Sequence, residues 1–206
     1  MRRTAVAAVV ALATATPLAG YRAGLYPDAP PPAMTGGFGE PTCVSCHFAP
    51  AAPDTAGSLA IEGLPGEYQP GQRYEVTVAL DRPGMKRAGF QLSARIADGP
   101  DCGTQAGRFE AFDPGVAVTA ATSVQYVHQT ADGAMPDAEG RARWTVRWTA
   151  PEKPRRVLFH VAANAANGDD SALGDVVLAI EREVPPAADW TSDDQPAPTP
   201  DSQPRE

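Results

Sequence analysis

Trp144-Thr145-Val146-Arg147-Trp148-Thr149 places a large apolar side chain at every second position, with polar residues between. Alternate residues of a β-strand share one face of a sheet, whereas a helix would want apolar residues every three to four positions. The same period runs through Tyr74, Val76, Val78 and Leu80 against Glu75, Thr77 and Ala79. It recurs in Phe90, Leu92, Ala94 and Ile96 against Gln91, Ser93 and Arg95, and in Val176, Leu178 and Ile180 against Val177, Ala179 and Glu181. Each of these reads as a half-buried strand with one polar face. Shorter candidates are Leu59 to Ile61, Gly107 to Phe112, Val116 to Thr119, Val124 to His128 and Val157 to Ala163, for seven to nine strands in all. Turn clusters such as Gln69-Pro70-Gly71, Asp98-Gly99-Pro100, Ala131-Asp132-Gly133 and Asn167-Gly168-Asp169 separate most of them. Short strands joined by turns predict an all-β, immunoglobulin-like antiparallel β-sandwich.

The 206 residues suffice for one core with flanking segments, and the 22 Pro and 19 Gly argue against long helices. Residues 1–24 read as a secretory signal peptide: Arg2 and Arg3, a short Ala/Val/Leu/Thr run, then Pro17-Leu18-Ala19-Gly20. The run is shorter than the ~20 apolar residues a spanning helix needs, although an uncleaved anchor is the alternative. A periplasmic or secreted location is expected, with no stable membrane anchor after cleavage. Residues 25–56 are rich in Pro and Gly and read as an extended tether. Residues 57–184 hold the strands. Residues 185–206 combine Asp189, Asp193, Asp194, Asp201 and Glu206 with several prolines, the composition of a disordered tail. The formal charge of −8 disfavours nucleic acid as a partner.

The tether carries Cys43-Val44-Ser45-Cys46-His47. Two thiols at this spacing followed directly by an imidazole form a c-type haem attachment motif: the thiols meet the two vinyl groups and the histidine reaches the iron. A zinc site would need four ligands, and neither a second CxxC nor a spaced His pair exists. A thioredoxin-like redox pair would want a βαβ context. A structural disulfide between Cys43 and Cys46 competes more seriously, since exported proteins oxidise their thiols. With three cysteines, either reading strands Cys102. His47 favours haem, because a disulfide gives no reason for histidine there.

With His47 as proximal ligand, a distal ligand would come from His128, His160, Met135 or Met85. His128 is in phase with Val124 and Tyr126, on that strand's apolar face near its end, and ranks first. The competing reading is a core-edge histidine bonded to a carbonyl. His160 shares a face with Leu158 and Ala162. Met135 lies in a loop, as Met85 does, and a vacant sixth position is also open. The oxygen-rich stretch Ala163 to Asp170, near Asp175, could be imagined as a calcium loop, but it matches no EF-hand spacing and reads first as a turn. Trp144 and Trp148 could flank a cofactor but read first as core. No nucleophile elbow, phosphate-cradling loop or paired carboxylates support hydrolysis or group transfer.

Gly36-Gly37-Phe38-Gly39-Glu40-Pro41-Thr42-Cys43 with CxxCH, Tyr68 to Tyr74, Gly89-Phe90-Gln91-Leu92, Tyr126 to Thr130, Trp144 to Pro151 and Ala163 to Gly168 together resemble the bacterial reelin-domain-like (Reeler) family of choice-of-anchor proteins. The resemblance spans about Gly36 to Ile180. It implies an immunoglobulin-like sandwich and a histidine belonging to the Tyr126 to Thr130 segment, which raises His128 above His160, where the family is more often aromatic. The chain departs from the family in lacking a C-terminal anchor, and Cys102 looks like an individual addition. The expectation is an exported monohaem protein, an electron carrier or haem binder rather than an enzyme. It would hold one covalent haem c through Cys43 and Cys46 and dock a redox partner of basic surface. The alternative is a haem-free extracellular adhesion or interaction module with the disulfide.

Overall fold

Every segment with period 2 becomes a strand in the computed structural model, which describes residues 29–49 and 56–188. These are β1 (Ser58–Glu62), β2 (Arg73–Asp81), β3 (Arg87–Ile96), β4 (Arg108–Ala111), β5 (Val116–Ala121), β6 (Val124–Gln129), β7 (Arg141–Thr149), β8 (Val157–Ala166) and β9 (Val176–Val184). They form two antiparallel sheets, ordered β1-β2-β7-β4 and β5-β6-β3-β8-β9, packed as a β-sandwich. The segment expected to be a signal peptide and nearly all of the acidic tail lie outside the described residues. The four residues 185–188 that are described start by docking: Ala187 donates its N–H to Tyr68 O and accepts burial, while Tyr68 donates its own N–H to Pro185 O.

Long ladders set the register. Nine pairs join β2 to β7, from Arg73↔Thr149 to Asp81↔Arg141, and ten join β3 to β8, from Arg87↔Ala166 to Ile96↔Val157. The inner faces meet through aromatic contacts between sheets. Trp144 stacks on Phe90 with centroids 4.3 Å apart, and Trp148 meets Phe159 edge to face at 4.8 Å. Both indoles are core residues whose N–H groups are satisfied, Trp144 by Gly133 O at 2.8 Å and Trp148 by Ala106 O at 3.0 Å. A buried aromatic with a satisfied polar tip is costly to replace, about 3–5 kcal/mol on truncation to alanine.

The expectation of one polar, solvated face holds for β7, whose burial alternates, but not for β3 and β8, which are buried on both faces. The Pro/Gly-rich stretch does more than tether: residues 29–49 run as a strap across the outer face of the second sheet. Its polar outer residues therefore bond the strap instead of water, as buried polar groups must. Gln91 accepts the Met34 N–H (2.7 Å) and donates to Pro31 O (2.9 Å). Arg95 is paired with Glu40, and the Tyr126 hydroxyl accepts from Arg95 Nη2 (2.6 Å) and donates to Glu40 (2.6 Å). Thr35 closes the group by donating to Glu40.

Candidate functional site around His47

Three residues beyond Glu40 the strap makes one helical turn. Thr42 caps it, its hydroxyl accepting the Val44 N–H, and the N–H groups of Cys46 and His47 both return to Cys43 O, at 3.1 and 2.9 Å. Positions three apart on such a turn share a side, so Cys43 and Cys46 are presented together. All three cysteines carry free thiols; Cys46 and Cys102 are exposed. Burial pushes the Cys43 thiol up to about 11, which keeps it protonated and is the opposite of what a reactive thiolate pair requires. Cys102 sits apart in the β3–β4 loop, donating weakly to Ala97 O.

Directly after the turn, Phe48 pairs with the β8–β9 loop: its N–H donates to Ala172 O (2.7 Å) and its carbonyl accepts from Gly174 N (2.9 Å). His47 is thereby clamped over the start of β9. Its Nδ1–H donates to Asp175 Oδ2 at 2.6 Å, and Asp175 is 1% exposed. The carboxylate is held in turn by the Asn167 N–H on Oδ1 (3.1 Å) and by Asn164 Nδ2 on Oδ2 (3.4 Å). Asn164 Nδ2 also lies 3.0 Å from His47 Nδ1. With Nδ1 committed to the carboxylate, Nε2 bears the imidazole lone pair, and the ring is about one-third exposed. A histidine anchored through one nitrogen and presenting the other is the arrangement of a metal-bound imidazole.

The residues thus fit a covalently attached haem on three counts: two thiols on one side of a turn, an imidazole following them, and a fixed Nε2. The oxygen-rich stretch that suggested calcium is used differently. Asn167 Oδ1 accepts the Asp169 N–H, Asp169 Oδ1 the Ser171 N–H and Ser171 Oγ the Leu173 N–H, a chain of side-chain turns that shapes the loop cradling Asp175.

The distal candidates are placed elsewhere. Val124, Tyr126 and His128 do share a face, but it is the outer face under the strap, whereas Val127 points into the core. His128 is buried, its Nδ1–H donating to Gln129 O (2.8 Å) and its Nε2 accepting from Thr119 (2.9 Å). It pairs with Gln91 of β3, which pairs with Ala162 of β8, so a whole strand and the strap-bonded Gln91 separate it from Asn164 and His47. His160 lies beneath the strap, its ring edge-on to Phe38 at 5.4 Å and its Nε2 3.3 Å from Glu181. Burial lowers its pKa. Met135 is exposed after the short turn Asp132–Ala134. Met85 is not a free loop residue: it is packed in the core, 3% exposed. None of these reaches His47, while Asp175 and Asn164, which do, were not singled out as its partners. Asp175 stood out in the sequence only as an acid near the oxygen-rich stretch and just before the apolar start of β9, not as a partner of His47.

No protein-family model and no curated protein matches the chain. Among solved structures, the reeler domain of human F-spondin is similar at 22% identity and a TM-score of 0.42, covering 70% of this chain and 98% of that one. A cohesin module of a Clostridium perfringens family 33 glycoside hydrolase is similar at 14% identity and a TM-score of 0.44, covering 64% and 97%. AvmM, described as catalysing macrocyclization in alchivemycin A biosynthesis, is similar at 15% and 0.42, covering 68% and 93%.

Proposed function

We propose that the chain is an exported c-type haem protein that carries electrons, in which Cys43 and Cys46 would be the covalent links and His47 would hold the iron. The observation that carries this reading is the bond from His47 Nδ1 to the buried Asp175, which leaves Nε2 as the ligating atom at the end of a CxxC turn. Cys43 and Cys46 would hold the group through two thioether links to its vinyl substituents. When bound, the group supplies a one-electron iron couple. The strap, pinned by Glu40, Arg95 and Tyr126, holds the turn at a constant place on the sheet. The negative charge of −8 suits a redox partner of basic surface.

For the sixth position His128 is the first candidate from its segment, but it would have to leave both of its hydrogen bonds, and Gln91 with the strap would have to move. That cost makes His47 the one described residue that would hold the iron without rearrangement of the sheet. The reading is tested by expressing the full precursor in a host with haem-maturation machinery and staining a denaturing gel for haem. A stained band of the mature protein is expected. An unstained band with free or disulfide-linked thiols would overturn it and favour a haem-free adhesion or interaction module.

A further inference from the structure

Asp175 is a carboxylate with almost no access to water, and its ion-pair partner among the described residues is a histidine rather than an arginine or lysine. A buried carboxylate is costly unless hydrogen bonds compensate it. Here they come from the Asn167 N–H on the β8–β9 connection and from Asn164 Nδ2 near the end of β8. Asn164 is informative in a second way. Its Oδ1 is buried and has no hydrogen-bond partner among the described residues. Its Nδ2 faces the carboxylate at 3.4 Å and His47 Nδ1 at 3.0 Å, so the amide, the imidazole and Asp175 form one buried polar group.

A purely mechanical role is poorly supported. The strap is already fixed on one side by Glu40, Arg95 and Tyr126, and on the other by the two backbone bonds of Phe48. Holding His47 in place does not by itself call for a buried charge. What the charge adds is electronic: a carboxylate accepting the Nδ1–H makes the imidazole a stronger donor through Nε2.

We infer that Asp175 is a positioning residue of the iron site, which selects Nε2 of His47 as the ligating atom and, by loading negative charge onto that imidazole, stabilises the ferric over the ferrous state. The inference rests on the haem reading above. It makes the protein a low-potential carrier, suited to a reducing partner. Asn164 and Asn167 set the strength of the effect by sharing the carboxylate's lone pairs.

The test uses the matured full-length protein. Asp175→Asn keeps the shape and an accepting oxygen but removes the charge; its reduction potential is expected to rise so that the ferrous-to-ferric ratio at a given ambient potential increases roughly tenfold, about 59 mV for a one-electron couple. Asp175→Glu should return part of that shift. Haem staining of both variants should match the parent. A stained Asp175→Asn protein with the parent's potential overturns the inference while leaving the haem reading intact, whereas an unstained parent defeats the haem reading itself. If Asp175→Asn does not accumulate, Asn164→Ala serves: it frees the carboxylate from a competing donor, so the potential should fall, and an unchanged potential overturns the inference.

Discussion

Gly37 lies against the ring of His160 so closely that a Cβ on it would fall 2.5 Å from the ring's Cγ. The strap can cross β8 at this height only because residue 37 has no side chain. Gly37→Ala must therefore lift the strap or displace the imidazole, at the cost typical of overpacking, about 1–3 kcal/mol. Thermal unfolding of the variant should show a lower Tm, and hydrogen exchange should show faster exchange at Thr35 and Glu40. Unchanged exchange there would contradict the contact.

The ion pair of Glu40 and Arg95 is nearly closed to water, with side chains 10% and 7% exposed. Removing one partner leaves a buried charge uncompensated, which costs about 3–5 kcal/mol. Glu40→Gln is expected to lower the urea midpoint strongly. The double variant Glu40→Leu with Arg95→Met should recover much of the loss, because it removes both charges together.

His160 makes stability depend on pH. Burial is the main cause of its lowered pKa, opposed by Glu181 and reinforced by Arg95. The folded chain therefore binds this proton less readily than the unfolded chain, so the contribution is complete above the ordinary histidine value of about 6.5 and is lost as pH falls through that value toward the folded one. The Tm should drop between pH 7.5 and pH 5.5, and His160→Phe, an aromatic of similar shape, should flatten that part of the profile. An equal slope in the variant would assign the dependence to other groups.

His128 has both ring nitrogens engaged, with Gln129 O and with Thr119. His128→Ala is expected to leave the spin state of the ferric matured protein as it is in the parent, while lowering the Tm through two lost hydrogen bonds, each worth about 1 kcal/mol. A change from low-spin to high-spin in the visible spectrum would instead make His128 the distal ligand.

The strands were legible because their signal is local. A period of two along five or more residues depends only on which side chains neighbour each other in the chain, and even the short candidates Gly107 to Phe112 and Val116 to Thr119 became β4 and β5. The cysteine turn was legible for the same reason, since its hydrogen bonds run from Cys46 and His47 to Cys43. Parity along a strand, however, says which residues share a face without saying what covers that face. Tyr126 and His128 looked core-facing because they are apolar or aromatic in phase; the strap covers the outer face, so both faces of the central strands are dry and the pattern loses its sign.

The residue order by itself determined an all-β chain with paired thiols and a histidine at haem spacing. Only the tertiary structure decided which groups complete that histidine. His47 and Asp175 are 128 positions apart, brought together by the register of the strap on β8 and by the bridge between Phe48 and Leu173. A contact of that kind is set by where two distant segments settle on a common sheet, and no periodicity within either segment encodes it.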